Sequence, residues 1–186
     1  ANNRRISHIY RASGKQFSND VHLVSVVGDD FPQEQLEDLT RRGVSSEGVE
    51  RKKGDKSFFW SGKYHNDMNT RDTLDTQLNV LEDFQPKVPD SASEVDFLML
   101  GNLTPSVQMD VILQMKTRPK LILLDTMNFW MDVALDELHE VLKEIDVLTI
   151  NDEEARQLSG EFSLLKAARK ILSMGPNVLI IKKGEH

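Results

Sequence analysis

The 186-residue sequence contains no cysteine. This absence excludes a disulfide framework, a thiolate metal site and a cysteine nucleophile. No apolar run approaches the length of a membrane span, and the polar N-terminal stretch lacks the apolar core of a signal peptide. The five histidines show no metal-ligand spacing. We therefore expect a cytoplasmic protein with no membrane partner.

Basic residues are fewer than acidic ones, with 23 Lys and Arg against 30 Asp and Glu, which gives a formal net charge of −7. Such a protein repels the phosphates of DNA and RNA, so we expect no nucleic-acid partner. An anionic small molecule is still compatible with this charge, since a local group of N–H donors can bind phosphate. The length fits one domain, and the polar residues 1–20 predict an irregular segment before an α/β domain at 21–186.

The central stretch of the chain predicts a strand, a helix and a second strand. The apolar runs Leu121–Leu124 and Val147–Ile150 lack polar alternation, which is typical of strands covered on both faces. Between them a helical pattern has its apolar positions at Val133, Leu135, Leu138, Val141, Leu142 and Ile145. Further strands are predicted at Val21–Val27, Phe97–Leu100 and Val178–Ile181, each near a helical pattern. The sequence therefore predicts a parallel sheet with helices on both faces.

The region from about 48 to 82 has a different pattern. Its short aromatic or β-branched runs alternate with polar residues and are separated by turn residues such as Gly54 and Asp55. The runs are VER, SFFWSGKY and TLDTQLNVL. They predict a small antiparallel sheet outside the main layer.

Polar residues follow two of the predicted strands directly. Asp125 ends the first central run, and Asn151 ends the second, with Glu154 three residues later. Ligands of open α/β sheets bind beyond the carboxyl ends of the strands. The same spacing also fits a capping box, in which Asn151 and Glu154 satisfy the first N–H groups of a helix. From spacing alone the cap is favoured, and both roles are compatible with one helix start.

Several short motifs, in order, resemble those of the ribokinase-like, or PfkB-type, carbohydrate kinases. They are VVGDDF, RRGVSSEGVE with KSFFWSGKY, DTMNFW, TINDEEARQL and LIIKKGE. The resemblance implies a three-layer parallel sheet flanked by helices, with a small antiparallel β lid. It also implies a phosphotransferase that uses ATP and Mg²⁺ to phosphorylate a hydroxyl of a sugar or nucleoside.

The resemblance also assigns roles to residues. Asn151 and Glu154 match its metal-side motif, and Lys183 and Gly184 match its nucleotide-binding turn. Asp125 is expected to bind the substrate, with Asn128 in place of an asparagine that the family has one position earlier. The lid implies a homodimer contact and substrate-facing aromatic residues, for which the candidates are Phe59, Trp60 and Tyr64.

Two signatures of the resembled kinases are unmatched. No glycine pair with an asparagine precedes VVGDD, and the 186 residues contain no Gly-Ala-Gly-Asp segment, whose aspartate is the family's catalytic base. The catalytic residue is therefore not assigned, and we expect this chain alone to bind nucleotide without turning it over with a sugar. The alternative is a non-catalytic kinase-fold protein that binds sugar or nucleotide or dimerises through its lid. A nicotinamide-dependent oxidoreductase is disfavoured, because no G-x-G-x-x-G follows a strand.

Overall fold

The structure is a computed structural model that describes residues 20–65 and 71–184, with the side chains of Tyr64 and Arg71 excluded. The chain divides into two compact units, residues 1–89 and 90–186. Most of the predicted irregular segment at 1–20 lies outside the described residues. That residues 21–186 form one domain stays a prediction.

The first unit begins with a parallel strand pair joined by a helix. Strand β1 (Val21–Gly28) pairs with β2 (Val44–Lys52), and helix α1 (Gln33–Arg41) connects them. Pro32 precedes the helix, and Gly43 follows it in the left-handed region at φ 79°, which glycine adopts without steric cost. The helix packs its buried Leu39 against the pair, as the apolar stripe predicts.

The predicted antiparallel sheet is present and consists of β3 (Phe59–Tyr64) and β4 (Arg71–Gln77) in the described residues. The prediction was wrong for the run VER, because Val49–Arg51 belong to β2, the parallel partner of β1. A half-buried alternating run has the same pattern in either kind of pair. Only the connection decides, and a helix between β1 and β2 brings the chain back in the same direction. After β4 the chain forms a 3₁₀ turn at Asn79–Leu81 instead of a longer strand.

The second unit is a four-stranded parallel sheet with helices, in the order β5-β6-β7-β8. This confirms the predicted α/β fold class. Its elements in chain order are β5 (Phe97–Leu100), α2 (Pro105–Leu113), β6 (Leu121–Asp125), α3 (Asn128–Val133), α4 (Leu135–Glu144), β7 (Val147–Asn151), α5 (Asp152–Ser159), α6 (Leu164–Leu172) and β8 (Val178–Lys182).

The two faces of this sheet differ in burial. The buried face carries Leu100, Ile122, Leu124, Leu148 and Ile150, none more than 4% exposed. The opposite face leaves apolar side chains exposed, namely Phe97, Met99, Leu121, Val178 and Ile180. The expectation of cover on both faces was therefore wrong at Leu121 of the run Leu121–Leu124, which is 36% exposed, whereas the run Val147–Ile150 has no exposed residue. An apolar run marks a strand, but it does not reveal what covers the second face.

The predicted central helix is divided in two. Ala134 has φ −147° and ψ 42°, values outside the helical region, so α3 ends before it and α4 begins after it. Leu138, Val141 and Leu142 of α4 are fully buried, whereas Val133 is 60% exposed. None of the helices in residues 20–65 and 71–184 combines the length and the apolar character required to cross a membrane.

Candidate functional site

The end of β7 forms a complete capping box with the start of α5. The Asn151 N–H donates to Glu154 Oε2 over 2.8 Å, and the Glu154 N–H donates to Asn151 Oδ1 over 2.7 Å. The capping interpretation is therefore confirmed. Glu154 is also only 5% exposed, so its carboxylate forms the buried floor of this turn.

The ends of β6, β7 and β8 are joined by side chains at the same edge. Asp125 Oδ1 accepts hydrogen bonds from Thr149 Oγ1 and from Lys182 Nζ, both over 2.9 Å. The register explains this contact, because Asp125 lies opposite Thr149, and Asn151 lies opposite Lys182. The Asp125 side chain is 7% exposed, and that of Lys182 is 47% exposed.

The Lys182 side chain must reach across a whole strand to make this contact. Neighbouring strands lie about 4.8 Å apart, so β6 and β8, with β7 between them, are roughly 10 Å apart. The lysine stem therefore extends over the end of β7. Its ammonium lies above the strand that leads into the Asn151 turn.

The first turn of α5 is acidic, with carboxylates at Asp152, Glu153 and Glu154. Arg156 donates to Asp152 over 2.7 Å, and this hydrogen bond is the main cause that lowers the pKa of Asp152 below 3.8. Negative charge at a helix start complements the helix dipole but repels phosphate groups. A phosphate group that bound near this turn would therefore require added positive charge.

No group of three or more histidine, aspartate or glutamate residues in the described chain has the geometry to hold a metal ion. Magnesium does not require such a cage, because it keeps several waters and uses one or two carboxylates together with phosphate oxygens. The buried Glu154 carboxylate at the end of a parallel strand fits that kind of metal-nucleotide site.

The β5 side of the edge is closed by a different group of side chains. Trp130 Nε1 donates to Asn102 Oδ1 over 2.7 Å, and Asn102 Nδ2 donates to Met127 Sδ over 2.8 Å. Met127 therefore links the chain after β6 to the chain after β5. The predicted substrate residue Asn128 is exposed and is the first residue of α3. Its substrate role stays a prediction.

The other predicted residues lie in two places. Lys183 and Gly184 form the exposed turn after β8, and Gly184 has a φ of 66°, which favours glycine. In the first unit Phe59 is 38% exposed and Trp60 is half-buried, both on β3. The side chain of Tyr64 lies outside the described residues. The nucleotide role of Lys183 and Gly184 and the substrate role of Phe59, Trp60 and Tyr64 stay predictions.

The aspartates after β1 contact the loop before β3. They do not cap the helix that follows, since α1 has no side-chain cap. Instead Asp29 Oδ2 accepts the Gly54 N–H over 2.6 Å, and Asp30 Oδ1 accepts the Ser57 N–H over 2.7 Å. These carboxylates hold the loop before β3 and are structural.

Sequence reasoning missed Lys182 and Thr149. In the sequence Lys182 is one of two adjacent lysines after an apolar run, and Thr149 lies inside such a run. The one signal that could have found them is their position, because Thr149 and Lys182 lie near the carboxyl ends of their strands. Only the register of three strands identifies Asp125 as their shared partner.

The sequence also matches a known protein family. Residues 12–186 match the profile of the pfkB family carbohydrate kinases. The chain belongs to this family. The match covers both the small antiparallel sheet and the parallel sheet with its candidate site. None of the curated proteins matches the sequence significantly.

Solved structures of this fold show the same architecture at low identity. A nucleoside kinase from Burkholderia thailandensis in complex with inosine superimposes with a TM-score of 0.73 at 16% identity, covering 97% of this chain and 57% of that protein. A Methanocaldococcus jannaschii nucleoside kinase of the ribokinase family gives 0.68 at 14% identity, covering 94% and 56%. A candidate ribokinase II from E. coli, in complex with ATP and Mg²⁺, gives 0.64 at 16% identity, covering 94% and 61%. The pfkB family chain described here thus spans less than two thirds of each.

Proposed function

We propose that this protein acts as an ATP- and Mg²⁺-dependent phosphotransferase on a hydroxyl of a sugar or nucleoside. The observation that carries the proposal is the edge formed by the ends of β6, β7 and β8. There a buried carboxylate, Glu154, lies at the start of α5, and a second buried carboxylate, Asp125, holds Lys182 at the end of β8. Membership of the pfkB family supports the same reaction class.

The residues of the chain would divide the work of binding. Glu154 contributes a fixed negative charge to a metal that arrives with the nucleotide, and Asn151 holds the turn in shape. Lys183 and the left-handed Gly184 offer a donor and close backbone approach to the nucleotide after β8. Bound Mg²⁺ would neutralise phosphate charge near the acidic turn. Such enzymes act mainly by positioning and electrostatic stabilisation.

The substrate class comes from the relatives. The B. thailandensis kinase was solved with inosine, and the E. coli protein was solved with ATP and Mg²⁺. A nucleoside or a sugar therefore takes the acceptor role in our proposal, and ATP takes the donor role. Asp125 and Asn128 of the second unit keep the acceptor-binding role that the family resemblance implies. Phe59, Trp60 and Tyr64 of the first unit are separate candidates for that role.

Replacing Glu154 by glutamine tests the metal-nucleotide role. The amide keeps an oxygen for the Asn151 N–H, so the free energy of unfolding should change by less than about 1 kcal/mol. Loss of the charge should weaken binding of Mg·ATP about tenfold, since charge-assisted contacts are roughly twice as strong as neutral ones. Isothermal titration calorimetry with Mg·ATP and urea unfolding measure the two effects.

The matched control is Glu153→Gln, which removes the same charge from an exposed neighbour in the same turn. We expect its affinity for Mg·ATP to stay within about twofold of wild type, because exposed charges are screened. Equal affinities of wild type and Glu154→Gln would leave Glu154 with its capping role alone.

A non-catalytic protein that binds a sugar or a nucleotide through the same fold is the second candidate. ADP release by the purified chain with pentoses, hexoses and nucleosides separates the two candidates. Binding of Mg·ATP without release of ADP favours the binding protein. Turnover near about 1–10³ per second favours the enzyme and shows that a residue of this chain supplies the base.

Dimerisation through the antiparallel sheet is part of the proposal. Phe59 is 38% exposed and Leu74 is 66% exposed in this sheet, so both offer apolar area to a second copy. Sedimentation velocity of wild type and Leu74→Ser over a dilution series tests the contact. A monomer at all concentrations of the wild type contradicts it.

A further inference from the structure

We propose that Asp125 is a positioning residue, which holds the Lys182 ammonium where it contacts the phosphate groups of a bound nucleotide. This inference rests on the proposed function and names a phosphate contact within the same site. It gives Asp125 a different partner from the substrate contact that the family resemblance implies.

The burial of Asp125 is the first reason. Its side chain is 7% exposed, and an unpaired carboxylate in such a place is strongly destabilising. Lys182 supplies the compensating charge over 2.9 Å, and Thr149 donates to the same oxygen, Oδ1. Thr149 therefore helps to hold the Asp125 carboxylate in place, and that carboxylate in turn holds the Lys182 ammonium.

The placement of the ammonium is the second reason. An ammonium has three N–H donors, and Asp125 Oδ1 is its hydrogen-bond acceptor among the described residues. The Lys182 side chain is 47% exposed, so it also faces solvent beyond the end of β7. The N–H donors that Asp125 does not occupy are therefore open to a ligand at the carboxyl ends of the strands.

The charges around the ammonium are the third reason. The turn after β7 carries Asp152, Glu153 and Glu154, and Arg156 is committed to Asp152 over 2.7 Å. A polyphosphate at this edge meets repulsion from the acidic turn. Lys182 lies opposite Asn151 in the strand register, so it adds a positive charge at the same edge that offsets part of this repulsion.

The experiment compares binding of AMP, ADP and ATP, each with excess Mg²⁺, by isothermal titration calorimetry. For Lys182→Met we expect about a tenfold loss of ATP affinity and little loss of AMP affinity, because a charge-assisted bond to phosphate is removed. Lys182→Arg keeps the charge and should recover most of the ATP affinity. Asp125→Asn keeps the shape of the side chain and should weaken ATP binding about threefold.

The double variant decides whether Asp125 acts through Lys182. If it does, Asp125→Asn should cause no further loss of ATP affinity in the Lys182→Met background. Lys120→Met is the matched control, since Lys120 is an exposed lysine that pairs with Asp96 at the opposite edge of the sheet. It should bind all three nucleotides as wild type does. Urea unfolding of each variant confirms that it is folded.

Several results would overturn the inference. They are equal losses for AMP, ADP and ATP, wild-type affinities in Lys182→Met, or additive losses in the double variant. Failure of the wild type to bind any of the three nucleotides would instead overturn the proposed function, and this inference with it. If the wild type binds ATP and the variants of Lys182 and Asp125 bind it with the same affinity, only the role of Asp125 and Lys182 is refuted.

Discussion

The two edges of the four-stranded sheet are built alike but hold their cationic side chains differently. At the amino edge Asp146 joins the starts of β6, β7 and β8, and at the carboxyl edge Asp125 joins the ends of the same strands. Asp146 Oδ2 accepts the Ile122 N–H over 2.8 Å, and its backbone oxygen accepts the Val178 N–H over 3.0 Å. Each aspartate also binds one cationic side chain.

The two edges differ in the other hydrogen bonds that the cationic side chain makes. Arg118 at the amino edge donates to Asp146 Oδ1 over 3.0 Å and to the carbonyl oxygens of Pro119 and Glu144. Its guanidinium is thereby tied to the backbone. Lys182 at the carboxyl edge has the Asp125 carboxylate as its acceptor among the described residues, and its side chain is 47% exposed. An ion pair closed by backbone groups stabilises the fold, whereas one with donors to spare can also bind a ligand.

Removing the amino-edge carboxylate should give the largest loss of stability. Asp146→Ala leaves the Ile122 N–H without its acceptor and breaks the Arg118 pair, so we expect a loss of about 2–3 kcal/mol. Urea unfolding measures it. Asp96→Ala, which breaks the exposed pair with Lys120, should cost less than about 1 kcal/mol. Similar losses of unfolding free energy for the two variants would show that the Asp146–Arg118 pair contributes no more than an exposed ion pair.

Acid should weaken the amino edge in a defined pH range. Burial alone raises the pKa of Asp146, but the hydrogen bonds from Arg118 and Ile122 and the Arg118 charge together lower it below 3.8. The folded state therefore binds fewer protons than the unfolded state in this range. The stabilisation is full above about pH 3.8 and is lost as the pH falls through the lower folded pKa.

The measurement is the free energy of unfolding of wild type and Asp146→Asn from about pH 6 down to about pH 3. The advantage of the wild type should be constant at the upper end and shrink below about pH 4. Asp110→Asn, which removes an exposed carboxylate from α2, corrects for general charge. A difference between wild type and Asp146→Asn that does not change with pH would contradict the assigned ion pair.

Removing one donor at the carboxyl edge should give the smallest effect. Thr149→Val deletes the hydroxyl that donates to Asp125 and keeps the shape of the side chain, so we expect a loss of about 1 kcal/mol. Thr149→Ser retains the hydroxyl and should recover part of that loss. A loss as large as that of Asp146→Ala would show that the carboxyl edge also serves mainly to hold the fold together.

The pattern of apolar residues was enough to predict the strands at Leu121–Leu124 and Val147–Ile150 and a helix between them, because strands and helices bury residues with different periods. It was also enough to predict the turn of Asn151 and Glu154, since a capping box depends on residues three apart. Local spacing therefore predicted the strands and helices that define the fold class, and the Asn151–Glu154 turn of the candidate site.

Contacts between distant residues could not be predicted in this way. Asp125 and Lys182 are 57 positions apart, and only the order and register of β6, β7 and β8 bring them within 2.9 Å. The same holds for the exposed face of β5 and β8, whose burial depends on what packs there and not on their own composition. The sequence by itself determined which residues form strands, helices and caps, because these depend on near neighbours. The tertiary structure decided which charges meet, because that depends on how the strands are arranged side by side.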